Sequence, residues 1–584
     1  MKAESNERND GANGASHGRD RDTYHDTRAA RTPRSRPVLD QIRAVPVSVE
    51  PNGQLWTHDQ PMPAVSRDVR LRDRARAALA ALFGPIETRH FAVRYWDDVV
   101  DRPTSPGSLP VAFTLAIRSP GALRRTFLSA SELHLGQAYV RGDLDVEGNM
   151  EAAVELGEML RLRLASPGNL AHAVRALLAL PRDHAAEQAQ ERRPGLTRQG
   201  LRHSRRRDRA AVRSHYDVGN DFYSLWLDRD MVYSCAYFVT GAEDIEAAQR
   251  AKLDLLCRKL RLRAGERLLD IGCGWGGLIR HAARNYGVHA VGITLSERQA
   301  AVARERIHAD GLDGRCRVMV CDYRDLGDAA QFDKVVSVGM FEHVGRSRLA
   351  GYFRAAARLT KPGGLFLNHG IVRVPTLGSG VVGRAARLVW RQGAFMQRYV
   401  FPDGELVPLE MAVRCGENAG LEARDMESLR EHYALTLRHW VKRLEQARDA
   451  ATALVGDQAY RVWRLYMSAS AHAFASGRIG LAQVLFAKPD VRGRVALPRT
   501  RADLYGPRVA ALGVIARAQR SRSALTSGRH TGTIGACCAS ITSPSGEPPA
   551  SSRSATRSAG RARCGSCCTD MASSRRGSSS TFRF

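Results

Sequence analysis

The chain has 584 residues, 43% of them hydrophobic, which is enough for two or three domains with real cores. No run of about eighteen apolar residues occurs, so the sequence offers no membrane-spanning helix. The formal net charge of +28 attracts nucleic acid or anionic lipid without choosing between them. No nucleic-acid-binding motif accompanies the charge, and nucleic acid is set aside as a partner.

Residues 1–64 are rich in Arg, Asp, Asn, Gly and Pro and poor in aliphatics, a composition that predicts disorder. Residues 65–185 are apolar-periodic. They open with VRLRDRARAALAALF, which predicts an amphipathic helix, and VAFTLAIRS alternates like a strand. In LHLGQAYVRGDLDVEG, Gly and Asp punctuate short apolar runs, as in a turn-rich α+β domain. Residues 186–210, with RRPGLTRQGLRHSRRRDR at 192–209, form a basic linker that could also touch lipid headgroups.

From 211 to 500, strands and helices alternate. RLLDIG, HAVGITL, RVMVCDY, FDKVVSVGM and GGLFLNHGI predict strands, and SERQAAVARERIHADG predicts a helix between two of them. This pattern predicts an α/β fold with a doubly wound, mostly parallel sheet. Ligands in such sheets sit outside the carboxyl ends of the strands, where Asp270, Thr294, Asp322, Glu342 and His369 are expected. Capping a following helix is an adequate alternative role for Thr294, Ser296 and Asp322, and a poor one for Glu342 and His369. Residues 501–584 become a Ser, Arg, Gly, Thr and Ala mixture with five scattered cysteines, which predicts a disordered tail. The six cysteines before it show no disulfide spacing and no secretory signal opens the chain, so a reducing cytoplasm is the expected setting.

The stretch Leu268–Leu278, LLDIGCGWGGL, is a strand, a tight turn and the start of a helix. Its glycines at 272, 274, 276 and 277 let the backbone approach a ligand. The third glycine comes too early for the dinucleotide spacing, which favours S-adenosylmethionine.

The blocks HYDVGNDFYSLWLDRDMVYSCAYF, LLDIGCGWGGL, VGITLSERQ, CDYRDL, VGMFEHVG, NHGI and HYALTLRHW stand in order over residues 215–440. On these blocks the chain resembles the cyclopropane-fatty-acyl-phospholipid synthase family, class I Rossmann-like methyltransferases that include the mycolic acid cyclopropane synthases. YVRGDLDVEG is similar to the small N-terminal domain of the bacterial phospholipid enzymes. The resemblance implies methyl transfer from S-adenosylmethionine to the cis double bond of an unsaturated phospholipid acyl chain, followed by loss of a proton to give a cyclopropane. It implies a bound bicarbonate as base, held by Cys235, Glu342, His369, Tyr433 and the backbone of Ile371. For the cofactor it implies Asp270, Gly272 and Gly274 around the methionine and ribose, with Tyr233 and Ser234 closing over them. Thr294 and Gln299 would reach the ribose and Asp322 the adenine amine. No metal is implied.

Ser470 departs from the family, many of whose phospholipid enzymes carry a cysteine there, and it is kept outside the catalytic set. The stretch 381–401, VVGRAARLVWRQGAFMQRYVF, mixes Arg with apolar side chains and suits either a helix lying on an anionic bilayer or a packed helix with snorkelling arginines. Tyr233, Phe238 and Phe341 are candidates for stabilising a transient carbocation. The expected location is cytoplasmic, peripheral at the inner face of the membrane. Methyl-branched products, an inactive lipid-binding relative and assembly as a homodimer stay open at this point.

Overall fold

The computed structural model describes residues 67–104, 110–129, 131–183, 218–327, 331–374, 393–401 and 403–505. The expected disordered segment 1–64, the basic linker 186–210, most of the stretch 381–401 and the tail beyond 505 lie outside them. Within the expected tail, Ala502–Tyr505 forms one helical turn, with Asp503 placed favourably at its amino end.

The first layer is built on four strands, β1 (Phe91–Arg94), β2 (Val100–Asp101), β3 (Phe113–Ile117) and β4 (Leu144–Gly148), in the order β2-β1-β3-β4. β1 and β3 run parallel and the other neighbours antiparallel. Alternating burial along β3 puts Phe113, Leu115 and Ile117 inward, as a half-buried strand requires. The helix Arg67–Phe83 covers them with Ala75, Ala78, Leu79 and Leu82. Ser119 caps the helix Pro120–Leu128 by accepting from the Ala122 amide, and Pro120 starts it without needing a donor. The segment LHLGQAYVRGDLDVEG folds as the helix Glu132–Arg141, a left-handed Gly142 and β4.

The second layer is a seven-stranded sheet of β5 (Arg267–Ile271), β6 (His289–Thr294), β7 (Cys316–Val320), β8 (Phe332–Val338), β9 (Thr360–Arg373), β10 (Glu422–Ser428) and β11 (Ile479–Ala487). Its order is β10-β11-β9-β8-β5-β6-β7. β5 to β9 pair in parallel, and β11 slots antiparallel between β9 and β10. This is an α/β, doubly wound and mostly parallel sheet. The chain leaves β5 in one direction toward β6 and returns on its other side with β8, so the switch point lies at the carboxyl ends of β5 and β8. Helices Arg430–Gln446, Arg448–Val455 and Asp457–Ala475 pack over those ends with Phe222, Tyr223 and Trp226.

Buried arginines tie the two layers together. Arg464 donates to the carbonyls of Val146 and Gly148 at 2.9 Å each and to the Tyr139 hydroxyl at 3.0 Å. Arg461 forks onto Asp145 at 2.9 and 3.1 Å.

Candidate active site

At the end of β5, Gly272 and Gly274 have φ of +90° and +53°, and the amides of Gly272 and Cys273 both donate to the Ile293 carbonyl. A side chain at either glycine would be strained. Together with Gly276, also at positive φ, they turn the chain from β5 into the helix Gly277–Tyr286 and open a cavity at the switch point. All eight residues expected at the cofactor, Tyr233, Ser234, Asp270, Gly272, Gly274, Thr294, Gln299 and Asp322, line this cavity.

Their partners differ from one another. Asp270 is buried, its Oδ1 has no hydrogen-bond partner among the described residues, and burial raises its pKa from 3.8 to about 7. Thr294 donates to Gln299 Oε1 at 2.8 Å, so the two form one unit at the end of β6. Ser296 does cap a helix, accepting from the Gln299 amide. Asp322 is held by Arg324, which donates from Nε at 2.8 Å and Nη2 at 2.6 Å, and it also accepts from the Arg324 amide. An adenine amine would share that carboxylate with Arg324.

The second set divides. Glu342 sits in the turn after β8, within a loop whose neighbours Met340, His343 and Val344 line the cavity. Its Oε1 accepts from the Ile371 amide at 2.7 Å, and its Oε2 is buried with no partner among the described residues. Burial raises its pKa from 4.5 to about 7, with the Ile371 amide opposing. His369 is not at a strand end. It lies inside β9, level with Val338 at the end of β8, because β9 runs on to pair with β11. Its Nδ1 meets Gln483 Nε2 at 3.1 Å, and its Nε2 is buried and unpartnered among the described residues. Burial and then the ammonium groups of Lys252 and Lys259 push its pKa well below the usual value, so the ring is neutral.

Cys235 is fully buried and contacts the carbonyls of Ala236 and Leu429, and burial pushes its thiol pKa up, so it is a neutral thiol. Tyr433 shares an apolar cluster with Cys235, against which Tyr233 and Ile371 pack. The Tyr433 ring lies 4.6 Å from that of Phe474. Of the three aromatics considered for a carbocation, only Tyr233 lines the cavity, in a cage with Trp226 and Trp440 at 5.5 and 5.3 Å. Phe341 packs into the core over Gly370, and Phe238 stacks on His439.

Sequence reading passed over Lys252. It lines the cavity, donates to Ser234 Oγ at 2.9 Å, and burial lowers its pKa from 10.5 to about 8. A signal was available. The chain has seven lysines against 81 arginines (88 − 7), and Lys252 and Lys259 fall among buried positions of the helix Ile245–Lys259.

A family model described as mycolic acid cyclopropane synthetase matches residues 203–484. A probable fatty acid methyltransferase of Pseudomonas putida is 42% identical over 430 residues, covering 73% of this chain and all of that protein. The cyclopropane-fatty-acyl-phospholipid synthase of Escherichia coli K12 is 39% identical over 294 residues, 50% of this chain and 72% of that one. This chain belongs to the mycolic acid cyclopropane synthetase family. It is an S-adenosylmethionine-dependent methyltransferase. A further relative, the tuberculostearic acid methyltransferase UfaA1 of Mycobacterium tuberculosis, is 38% identical over 294 residues, 48% of this chain and 65% of that one.

Proposed function

We propose that the chain methylates the cis double bond of an unsaturated acyl chain in a membrane phospholipid and that deprotonation, assisted by bicarbonate, yields a cyclopropane. The observation that carries this reading is the pair of buried, unpartnered atoms Glu342 Oε2 and His369 Nε2, set beside a glycine-lined cofactor cavity. Buried polar atoms are nearly always satisfied, so a set left open in an active-site cleft marks where a ligand belongs. An acceptor and a ring nitrogen suit a small oxyanion bearing one proton. Asp270 Oδ1 is a third open atom and suits a cationic cofactor.

S-adenosylmethionine, when bound, supplies an electrophilic methyl on a sulfonium, and bicarbonate supplies a base of matched strength. The chain's own residues do the rest. Asp270, ionised above about pH 7, places negative charge at the cofactor cavity. Lys252 orients the Ser234 hydroxyl. Tyr233, backed by Trp226 and Trp440, offers π faces to developing positive charge and excludes water. Glu342, with one oxygen fixed by the Ile371 amide, keeps the other free to accept a proton. Cys235 and Tyr433 contribute weak S–H and O–H donors from the apolar wall.

Among the described residues, no helix is long and apolar enough to cross a membrane. In this reading the acyl chain is met by a protein resting on the cytoplasmic face of an anionic bilayer, drawn there by the +28 charge. Relatives named as fatty acid and tuberculostearic acid methyltransferases favour a second reading, in which the same carbocation shifts and takes a hydride from an external reductant to end as a methyl-branched chain. Fatty acid analysis of bacteria lacking their own synthase, with and without this gene, separates the two. A ring-containing species heavier than its vanished unsaturated parent by one CH2 supports cyclopropanation. A branched species carrying two further hydrogens supports the second reading, and no new species refutes both.

A further inference from the structure

Three neighbouring strands carry a row of polar side chains in register. Glu427 on β10 stands opposite Gln483 on β11, and Gln483 stands opposite His369 on β9. Directly opposed side chains share one face of a sheet at about 5 Å between Cβ atoms. The helix Ile245–Lys259 adds Lys259, whose buried ammonium pairs with Glu427 and donates to Gln483 Oε1 at 2.7 Å. The other end of that amide, Nε2, lies 3.1 Å from His369 Nδ1.

The chemistry of the donors fixes each direction along this row. An ammonium paired with a carboxylate has only protons to offer, so the Gln483 oxygen must face Lys259. The Gln483 NH2 must then face His369, and NH2 can only donate. His369 Nδ1 therefore accepts, and a neutral imidazole with an accepting Nδ1 carries its proton on Nε2. Nε2 is the buried atom left without a partner among the described residues.

We propose that Lys259 and Gln483 are positioning residues that lock His369 in the Nε2–H tautomer, so that it donates a hydrogen bond to the bound oxyanion. Glu342 Oε2 is then the one proton acceptor of the pair. The assignment deepens the reading given above and rests on it. It also divides the labour between the two side chains: an Nε2 that carries a proton has no lone pair with which to take another, so the proton leaving the substrate passes toward Glu342. A ligand with one O–H and one anionic oxygen matches this donor and acceptor in one orientation only. His369 drawn as a base would leave that orientation unspecified.

The test is two-bond 1H–15N correlation NMR of the full chain labelled with 15N-histidine, with His369→Asn identifying the signal. The expected wild-type pattern is a protonated Nε2 and a pyridine-like Nδ1 at pH 7. In Gln483→Glu the carboxylate accepts from both neighbours, so the ring proton should move to Nδ1. Turnover should fall by about a hundredfold, the scale of misplaced general acid–base groups, with the KM for S-adenosylmethionine within about twofold. Lys259→Met, which frees the amide to rotate, should give a mixed tautomer if Gln483→Glu fails to fold. A wild-type ring protonated on Nδ1 or on both nitrogens overturns the proposal, as does a wild-type pattern in both variants. The NMR readout needs no turnover. An inverted tautomer with undiminished turnover would uphold the tautomer assignment and sink the functional reading of the site.

Discussion

Glu342→Gln separates what the site does from what it costs the fold. The wild-type carboxyl has its pKa raised from 4.5 to about 7, chiefly by burial. For an acid, a raised folded-state value means that the folded chain binds the proton more tightly than the unfolded chain. Below about pH 4.5 both states are protonated and the group is neutral in the balance. As pH rises through the window from 4.5 to about 7, the unfolded state ionises first and stability falls. Above about 7 the folded state carries the whole penalty, about 3 kcal/mol at about 1.4 kcal/mol for each pH unit of displacement. Glutamine keeps the oxygen that accepts from the Ile371 amide and never ionises, so it escapes the penalty. Its NH2, placed where Oε2 has no partner among the described residues, returns about 1–3 kcal/mol of that gain as an unsatisfied donor. The variant's stability relative to wild type should therefore be greater at pH 8 than at pH 5. Urea unfolding of both proteins without cofactor at the two pH values reads the difference directly, and the titration of Asp270 cancels between them. Parallel pH dependence of the two proteins would refute the account of Glu342 as a buried, strained carboxylate.

The same substitution should lower turnover by about a hundredfold or more while leaving S-adenosylmethionine binding intact, measured by calorimetry beside a lipid-methylation assay. Wild-type turnover should rise with pH and level off above about 7 as Glu342 ionises, and that rise should vanish in Glu342→Gln. Asp270→Asn should weaken cofactor binding about tenfold or more and abolish a tightening that wild type shows as pH rises through about 7. Arg464→Met should destabilise the chain by about 1–3 kcal/mol in urea, because the carbonyls of Val146 and Gly148 and the Tyr139 hydroxyl lose their donor. Gly370→Ala would place a Cβ 2.7 Å from the Phe341 ring, beside Glu342, and should lower turnover more than cofactor affinity.

The parallel half of the sheet was legible because each of its strands is a short apolar run ended by Gly or a polar residue, as in RLLDIG and FDKVVSVGM. β10 and β11 were not read. The polar β10, EARDMES, has no apolar face long enough to announce an edge strand, and IGLAQVLFA is an almost unbroken apolar run with no strand alternation, although Ser476–Gly477 marks the end of the helix before it. Missing β11 meant missing Gln483, and with it the partner of His369. Lys252 and Lys259 escaped for a different reason: buried lysines break the apolar pattern that marks a helix face, and the eye assigns them to solvent. The glycine turn and Glu342 were legible because unusual local chemistry, a G-x-G-x-G turn and an acid between a strand and Gly345, cannot be mistaken for core. Long-range register has no such local mark.

The site combines charges that a soluble protein ordinarily keeps in water. Asp270 and Glu342 each have a pKa near 7, and Lys252 one near 8, all through burial. Lys252 and Asp270 attract one another, yet the carboxylate keeps an open oxygen, so the attraction does not use up the group. A cationic cofactor would meet that carboxylate, and an oxyanion would meet His369 on β9, two strands away. The cofactor would relieve the desolvation penalty at Asp270, whereas an oxyanion would satisfy the open polar atoms of Glu342 and His369, so neither could substitute for the other. On this view the two should bind with positive coupling to the fold. The buried charge at Asp270 that destabilises the empty chain would then be the source of its affinity for the cationic cofactor.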